Sequence, residues 1–183
     1  MYWFSRVALL LGVIPLVLSG CHNKVISVDP FARKLPYKVE VASDPTAFAM
    51  QRRLEKQHVQ IISLGQDYLI SIPSALIFPD QSPQLTWTSY QLLNDVACYL
   101  QQFRMIAVNI TTYSSQYMSE SRERALTLAR SKTVANYLWS QGIDSRFVFT
   151  EGLGSDKPIL GIAKQTDESP NSRVEITFRQ VVA

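Results

Sequence analysis

The sequence has few of the residues that build metal centres, disulfide frameworks or nucleophilic active sites. Its 183 residues include two cysteines, Cys21 and Cys98, and two histidines, His22 and His58. These four residues do not have the spacing of a metal-ligand motif, and two cysteines do not form a disulfide framework. The sequence also has no phosphate-binding glycine loop and no arrangement of serine, histidine and acid typical of hydrolases. We therefore expect a protein that is not an enzyme and that holds neither a cofactor nor a metal.

A strong excess of charge of one sign is also missing. Lysine and arginine number 18 and aspartate and glutamate 15, which gives a formal net charge of +3. The basic residues are scattered, with Arg52 and Arg53 as their densest run, and this pattern is typical of a solvated surface. Because nucleic-acid-binding domains carry a concentrated basic patch, we expect no nucleic acid partner.

No apolar run is long enough to cross a membrane. The longest, residues 7–18, is about a dozen residues, whereas a spanning helix needs about 20. It follows Arg6, so residues 1–20 have the pattern of a signal peptide. Small residues precede Cys21, and the stretch resembles a bacterial lipobox, whose cysteine becomes an acylated N-terminus. The alternatives are a plain signal peptide or a short buried helix with a chance cysteine.

The lipobox implies a membrane anchor on Cys21. Two or three acyl chains hold a domain stably at a membrane, while a single chain binds only marginally. By resemblance to other lipoproteins, His22 in place of aspartate favours the outer membrane and its periplasmic face. Residues 21–43 contain Pro30 and Pro36 and no sustained periodicity, so we interpret them as an extended, lipidated tether.

The rest of the chain is long enough for one domain with its own core. Asp44 and Pro45 form a good helix start, and we expect a linker helix over residues 44–58, which either packs on the domain or docks on a partner. Two strand-like runs at 59–63 and 68–72 predict a hairpin. Residues 86–103 show the three- and four-residue apolar spacing of a helix, with Cys98 as an inert buried thiol.

Further elements alternate between strand and helix. Residues 105–111 predict a strand, 119–141 a long helix, 147–151 a strand and 173–178 a closing strand. In the long helix we expect Ser119 to cap the N-terminus and Gly142 to end it, with the sheet-facing side formed by Leu126, Ala129, Val134, Tyr137 and Leu138. Strands connected through helices require some parallel pairing. The fold class is therefore α+β, one mixed sheet covered by two helices.

Four motifs, in this order, resemble the OmpA-like peptidoglycan-binding domain. They are a strand end at 110–113, the helix segment Leu126-Thr127-Leu128-Ala129-Arg130, the pair Gly152 and Gly154, and the closing segment Asn171-Ser172-Arg173-Val174-Glu175-Ile176. Gly152-Leu153-Gly154 by itself is typical of a turn. The resemblance assigns residues 59–183 to this family and implies a β-α-β-α-β core behind an N-terminal hairpin.

The resemblance also implies a ligand, the diaminopimelate of the peptidoglycan stem peptide. This zwitterion needs a fixed cation for its carboxylate and a fixed anion for its ammonium. Arg130 aligns with the family's carboxylate-binding arginine, and an arginine fork suits that group. The alternative for Arg130 is an exposed helical arginine paired with Glu123 or Glu175. Candidate site residues are Arg130, Thr112, Tyr113, Glu123 and Arg173.

The ammonium half of the family site is altered. Ile110 takes the family's glycine position, Thr111 the histidine and Tyr113 the aspartate, and a tyrosine is a weak partner for a cation. Glu123 stands where the family has asparagine and is a substitute anion. Two functions remain open: a module that contacts peptidoglycan, and a scaffold subunit that has lost wall binding and serves protein–protein contacts only.

The assembly is suggested by a narrower resemblance. The modest length, the lipobox and the altered strand-end motif at Ile110 and Tyr113 together resemble the small OmpA-like lipoproteins of Dot/Icm type IVB secretion core complexes. This resemblance implies other secretion-system core subunits as partners, in addition to peptidoglycan and the membrane that holds the anchor.

Overall fold

The computed structural model describes residues 45–116, 119–143, 147–161 and 166–181. The signal peptide at 1–20, Cys21 and the tether at 21–43 lie outside the described residues. Three helices are present in the described parts: α1 (Pro45–Lys56), α2 (Ser89–Leu100) and α3 (Glu120–Ser140). The five strands are β1 (Gln60–Leu64), β2 (Asp67–Pro73), β3 (Met105–Tyr113), β4 (Val148–Gly154) and β5 (Arg173–Gln180). A 3₁₀ turn at Ser74–Leu76 follows β2.

The strands form one mixed sheet in the order β1-β2-β5-β3-β4. β1 and β2 are an antiparallel hairpin, and β5 lies between β2 and β3, antiparallel to both. β3 and β4 are parallel, as expected for strands joined through the crossover helix α3. The predicted α+β class with its mixed, helix-covered sheet is confirmed.

The core lies between the helices and one face of the sheet. Alternate residues of the central strands point into it, among them Ile70 and Ile72 of β2 and Val174 and Ile176 of β5, each fully buried. Opposite them, α2 contributes an apolar stripe at three- and four-residue intervals. Its fully or almost fully buried members are Leu93, Val96, Ala97, Tyr99 and Leu100.

α1 packs on the domain through Ala47 and Leu54, its two buried residues. Leu54 is fully buried in the common core, and Arg53 makes an ion pair of 2.9 Å with Asp95 of α2. The amide of Val59 donates to the carbonyl of Leu54 and fixes the exit toward β1. Phe48 on the same helix remains half exposed. The contacts with α2 and β1 account for the packing role.

α3 differs from the sequence expectation in the side that it buries. Leu126 and Ala129 are only half-buried, and the fully or almost fully buried positions are Glu123, Thr127, Arg130, Ser131, Val134 and Leu138. The expectation of an all-apolar sheet-facing stripe is therefore wrong, because the N-terminal half of the buried side is polar. This polar half lies where β3 and β4 end.

The two ends of α3 have unequal chemistry. At the C-terminus Gly142 has φ +90, and the amide of Ile143 donates to the carbonyl of Leu138, so glycine ends the helix in the left-handed conformation as predicted. At the N-terminus the Ser119 side chain makes no capping hydrogen bond. Its backbone carbonyl instead accepts from Arg122 and Glu123, which corrects the expected side-chain cap.

Gly152 and Gly154 belong to the end of β4, which corrects the interpretation of this segment as a turn. A Cβ atom on Gly152 would lie 2.1 Å from the backbone nitrogen of Leu128, so glycine here lets β4 touch the α3 backbone. Gly154 has φ +54, a conformation that glycine adopts at no steric cost. Both glycines therefore bring the polar half of α3 against the strand end.

Cys98 is half-buried on α2 and is disulfide-bonded in this structure, which differs from the expected inert buried thiol. The other cysteine of the sequence, Cys21, lies outside the described residues. In the parts of the chain that the structure describes, none of the helices combines the length and the apolar character that a membrane span requires.

Candidate functional site

Arg130 is the centre of the candidate site and is completely buried. Its guanidinium forms a two-pronged ion pair with Asp167: Nη1 lies 2.9 Å from Oδ1 and Nη2 lies 2.6 Å from Oδ2. Asp167 is itself only 4% exposed. The fork-to-carboxylate geometry is the one that arginine favours for charge-assisted bonds. The carboxylate that Arg130 binds is thus supplied by the same chain.

The other donors of Arg130 are also occupied. Nε donates to the carbonyl of Ser82 at 2.9 Å, and Nη2 donates to the carbonyl of Pro79 at 3.2 Å. The guanidinium carbon lies 5.0 Å from the ring centre of Phe78. Arg130 therefore joins three parts of the chain: α3, the connection between β2 and α2, and the segment that leads into β5. The expectation of an exposed surface arginine paired with Glu123 or Glu175 is wrong.

Glu123 lies nearer to the N-terminus of α3 than Arg130 does, and it is 1% exposed. Its Oε2 accepts a hydrogen bond of 2.7 Å from the Ser155 hydroxyl. One turn later, the Thr127 hydroxyl donates to the carbonyl of Glu123 and accepts from the amide of Gly154. Glu123 and Thr127 thus fasten the end of β4 to the helix.

Tyr113 and Arg173 form a separate pair on the outer face of the sheet. They are direct neighbours across β3 and β5, and the Arg173 guanidinium stacks 4.0 Å from the ring centre of Tyr113. Nε of Arg173 also binds Glu175 at 2.6 Å, and its Nη1 donates to the carbonyl of Asn171. Both Tyr113 and Arg173 are 6% exposed. Burial, followed by the nearby Glu175 carboxylate, raises the pKa of Tyr113, so the phenol is neutral at physiological pH.

Thr112 points to the opposite face from Tyr113, because successive side chains of a strand alternate. It is fully buried, and its hydroxyl has no hydrogen-bond partner among the described residues. The hydroxyls of Ser74 and Ser114 are buried in the same condition. A buried hydroxyl without a partner has a free-energy cost, and all three lie at the end of the sheet where β2 and β3 end.

The five predicted site residues therefore do not form one open pocket. Arg130 pairs with Asp167, Glu123 with Ser155, and Tyr113 with Arg173, while Thr112 lies under the sheet. Asp167 is the residue that sequence reasoning missed. The available signal was an acidic residue in the short polar segment before Asn171, but nothing in the spacing linked it to a helix residue 37 positions earlier.

Chemically, the arrangement is suited to holding carboxylates and cations in place. Among the described ranges, no group of three or more histidine, cysteine and acidic side chains is placed to hold a metal ion. Two of the charged groups are instead matched in oppositely charged pairs, Arg130 with Asp167 and Arg173 with Glu175, while the Glu123 carboxylate accepts from a hydroxyl.

Known sequences match the part of the chain that contains the candidate site. The profile of the OmpA family matches residues 77–173. The probable lipoprotein YiaD of Escherichia coli is 29% identical over 120 residues, which cover 66% of this chain and 55% of YiaD. The peptidoglycan-binding protein ArfA of Mycobacterium tuberculosis is 34% identical over 101 residues, 55% of this chain and 31% of ArfA. The chain thus spans between about a third and about half of these relatives.

Solved structures share the fold at lower sequence identity. The cell wall anchor of the type VI secretion system from Pseudomonas aeruginosa superimposes with a TM-score of 0.64 at 22% identity, over 74% of this chain and 96% of that one. The periplasmic domain of Helicobacter pylori MotB gives 0.58 at 18%, over 67% and 79%. The OmpA-like domain of FopA1 from Francisella tularensis gives 0.54 at 20%, over 67% and 82%.

Proposed function

Because the chain belongs to the OmpA family, we propose that it is a structural module of the bacterial cell envelope that contacts peptidoglycan and is held to the outer membrane by lipid. The observation that carries the proposal is the family match over residues 77–173, which runs through the end of β3, the whole of α3 and the start of β5. These elements meet at one end of the sheet. ArfA is named a peptidoglycan-binding protein, and YiaD a probable lipoprotein.

The contact that we propose is with the stem peptide, through the carboxylate and ammonium of diaminopimelate. Arg130 is the cation for the carboxylate, and it takes that role only when Asp167 gives up the same donors. The ammonium has no aspartate at position 113, so Glu123 and the orphan hydroxyl of Thr112 are its candidate partners. Arg173 supports Tyr113 from the outer face. The altered ammonium half predicts weak binding, because losing a charged partner costs about 2–5 kcal/mol.

The anchor that we propose is acylated Cys21, on the periplasmic face of the outer membrane. Acylation places the Cys21 sulfur in a thioether. The same sulfur is then unavailable to a disulfide with Cys98, and the chain has no third cysteine. The lipid anchor and an intrachain disulfide are therefore mutually exclusive, and the anchor predicts that Cys98 has no intrachain disulfide in the mature protein.

As the assembly we propose a type IVB (Dot/Icm) secretion core complex, in which the chain is a structural subunit bound to other core subunits. The support is the narrower sequence resemblance, namely the lipobox and the departures at Ile110 and Tyr113. In this role the domain ties the complex to the wall and performs no chemistry.

A second candidate function is a scaffold that makes only protein–protein contacts. The specific observation in its favour is the buried Arg130–Asp167 pair, since the cation of the family's ligand site is already neutralised within the chain. The stacking of Arg173 on Tyr113 covers the position of the family's aspartate. In this reading the fold is kept and the ligand site is closed.

Co-sedimentation of the purified full-length protein with peptidoglycan sacculi separates the two functions. Wall contact predicts saturable binding that free diaminopimelate peptide inhibits, and stronger binding by Tyr113→Asp. The matched control is Tyr90→Asp, an exposed tyrosine on α2. No sedimentation of the wild type, with retention in the envelope complex after wall digestion, would instead establish the scaffold.

A further inference from the structure

Resting on the proposed function, we propose that Asp167 is a built-in substitute for a ligand carboxylate, and that a free carboxylate binds Arg130 by exchange with Asp167. Two oxygens of Asp167 occupy the two Nη donors at 2.9 and 2.6 Å. This is the bidentate arrangement in which arginine binds a carboxylate from another molecule. Asp167 thus places a carboxylate on the guanidinium, which is the same chemical group that a ligand would supply.

The receptor half is held in place without Asp167. Nε is bonded to the carbonyl of Ser82, and Nη2 has a second bond to the carbonyl of Pro79. The ring of Phe78 lies beside the guanidinium at 5.0 Å. These contacts come from the connection between β2 and α2, not from the segment that carries Asp167. The guanidinium therefore keeps its orientation when the carboxylate leaves, and its Nη edge becomes available.

A backbone amide also donates to the Asp167 carboxylate, in addition to the Arg130 guanidinium. Oδ2 of Asp167 accepts a hydrogen bond of 2.9 Å from the amide of Gln81. A ligand carboxylate in the same place inherits this backbone donor together with the two Nη donors. The site is thus complementary to a carboxylate, with three donors fixed on elements outside the segment that supplies the present occupant.

Exchange sets the affinity of the site. A ligand can bind Arg130 only in molecules in which Asp167 has been displaced. The apparent Kd is therefore the intrinsic Kd divided by the fraction of such molecules. If Asp167 is displaced in about 1% of molecules, the apparent affinity falls about 100-fold. Removing the Asp167 carboxylate abolishes this competition and leaves a buried guanidinium without its counter-ion, so small carboxylates become ligands.

The test is chemical rescue of Asp167→Ala in the full-length protein. Its melting temperature is measured as acetate replaces chloride at constant ionic strength. We expect a saturable rise of about 5–10 °C once acetate reaches about 100 times its Kd. The matched control is Asp156→Ala, which removes the partner of Arg124 in a partly exposed pair and should show no acetate-specific rise. Diaminopimelate tripeptide should give the same rise at lower concentration.

Each outcome decides the proposal. A melting temperature of Asp167→Ala that responds to acetate no more than that of Asp156→Ala overturns it. If Asp167→Ala is isolated unfolded, the recovery of helical circular dichroism in acetate against chloride is the readout, and equal recovery overturns it. Rescue without any sacculus binding by the wild type supports the exchange site and contradicts the proposed wall contact, so the two failures are distinguishable.

Discussion

Replacement of Arg130 by alanine should lower the free energy of unfolding strongly. It removes the partner of Asp167, a carboxylate only 4% exposed, and the donors to the carbonyls of Ser82 and Pro79. Breaking a buried ion pair by deleting one partner costs about 3–5 kcal/mol, since the remaining charge stays buried. Total stabilities of about 5–15 kcal/mol are typical, so this loss is about a fifth or more of the total.

The assay is urea unfolding of the purified protein, followed by circular dichroism. Arg130→Lys keeps the charge but loses the fork, and we expect an intermediate loss. The control is Arg179→Ala, which removes the partner of Asp67 from a pair that is more than half exposed on both sides; because solvent screens such a pair, this loss should be much smaller. Equal losses for Arg130→Ala and Arg179→Ala would refute the assignment of Arg130 as the internal link between three segments.

Three further predictions concern packing, pH and the cysteines. Gly152→Ala should destabilise the protein by about 1–3 kcal/mol or more, because its Cβ would lie 2.1 Å from the Leu128 nitrogen, whereas Gly161→Ala, with open space around it, should be nearly neutral in the same urea assay. Burial raises the pKa of Tyr99 to about 12; since this folded value lies above the unfolded value of about 10, its stabilisation is complete below pH ~10 and is lost as pH rises toward 12. The unfolding free energy should fall over that window, and less so in Tyr99→Phe. In protein extracted from membranes, mass spectrometry should find acylated Cys21 and no Cys21–Cys98 peptide, and a linked peptide would contradict the lipid anchor.

The fold followed from the sequence because local periodicity and motif order point to the same architecture. Apolar spacing predicted α2, and alternation of apolar and polar residues predicted β5. Gly142 predicted where α3 ends. The side of α3 that is buried was mispredicted. Hydrophobic periodicity identifies a buried side only when that side is apolar, and here Glu123, Thr127 and Arg130 are buried because each has partners that neutralise or satisfy it.

The candidate site was less predictable because the partners of its residues are distant in sequence. Motifs identified the residues themselves, but only the tertiary structure shows what each one contacts. Asp167 lies 37 residues from Arg130, and no local rule connects them. Tyr113 and Arg173 meet because β5 is inserted beside β3 in one register, which the sequence alone did not specify. The altered aspartate position at Tyr113 was visible in the sequence, whereas the occupant of the arginine fork was not.

In the ligand-free protein the guanidinium of Arg130 is held in the interior by its bonds to Asp167, Ser82 and Pro79. Hydrogen exchange of arginine side chains, measured by ¹⁵N NMR, tests it directly with Arg179 as the exposed reference. We expect an Arg130 Nε–H that exchanges far more slowly than that of Arg179, and Nη signals that change when diaminopimelate tripeptide is added. An Arg130 Nε–H that exchanges as fast as that of Arg179 without ligand would contradict it.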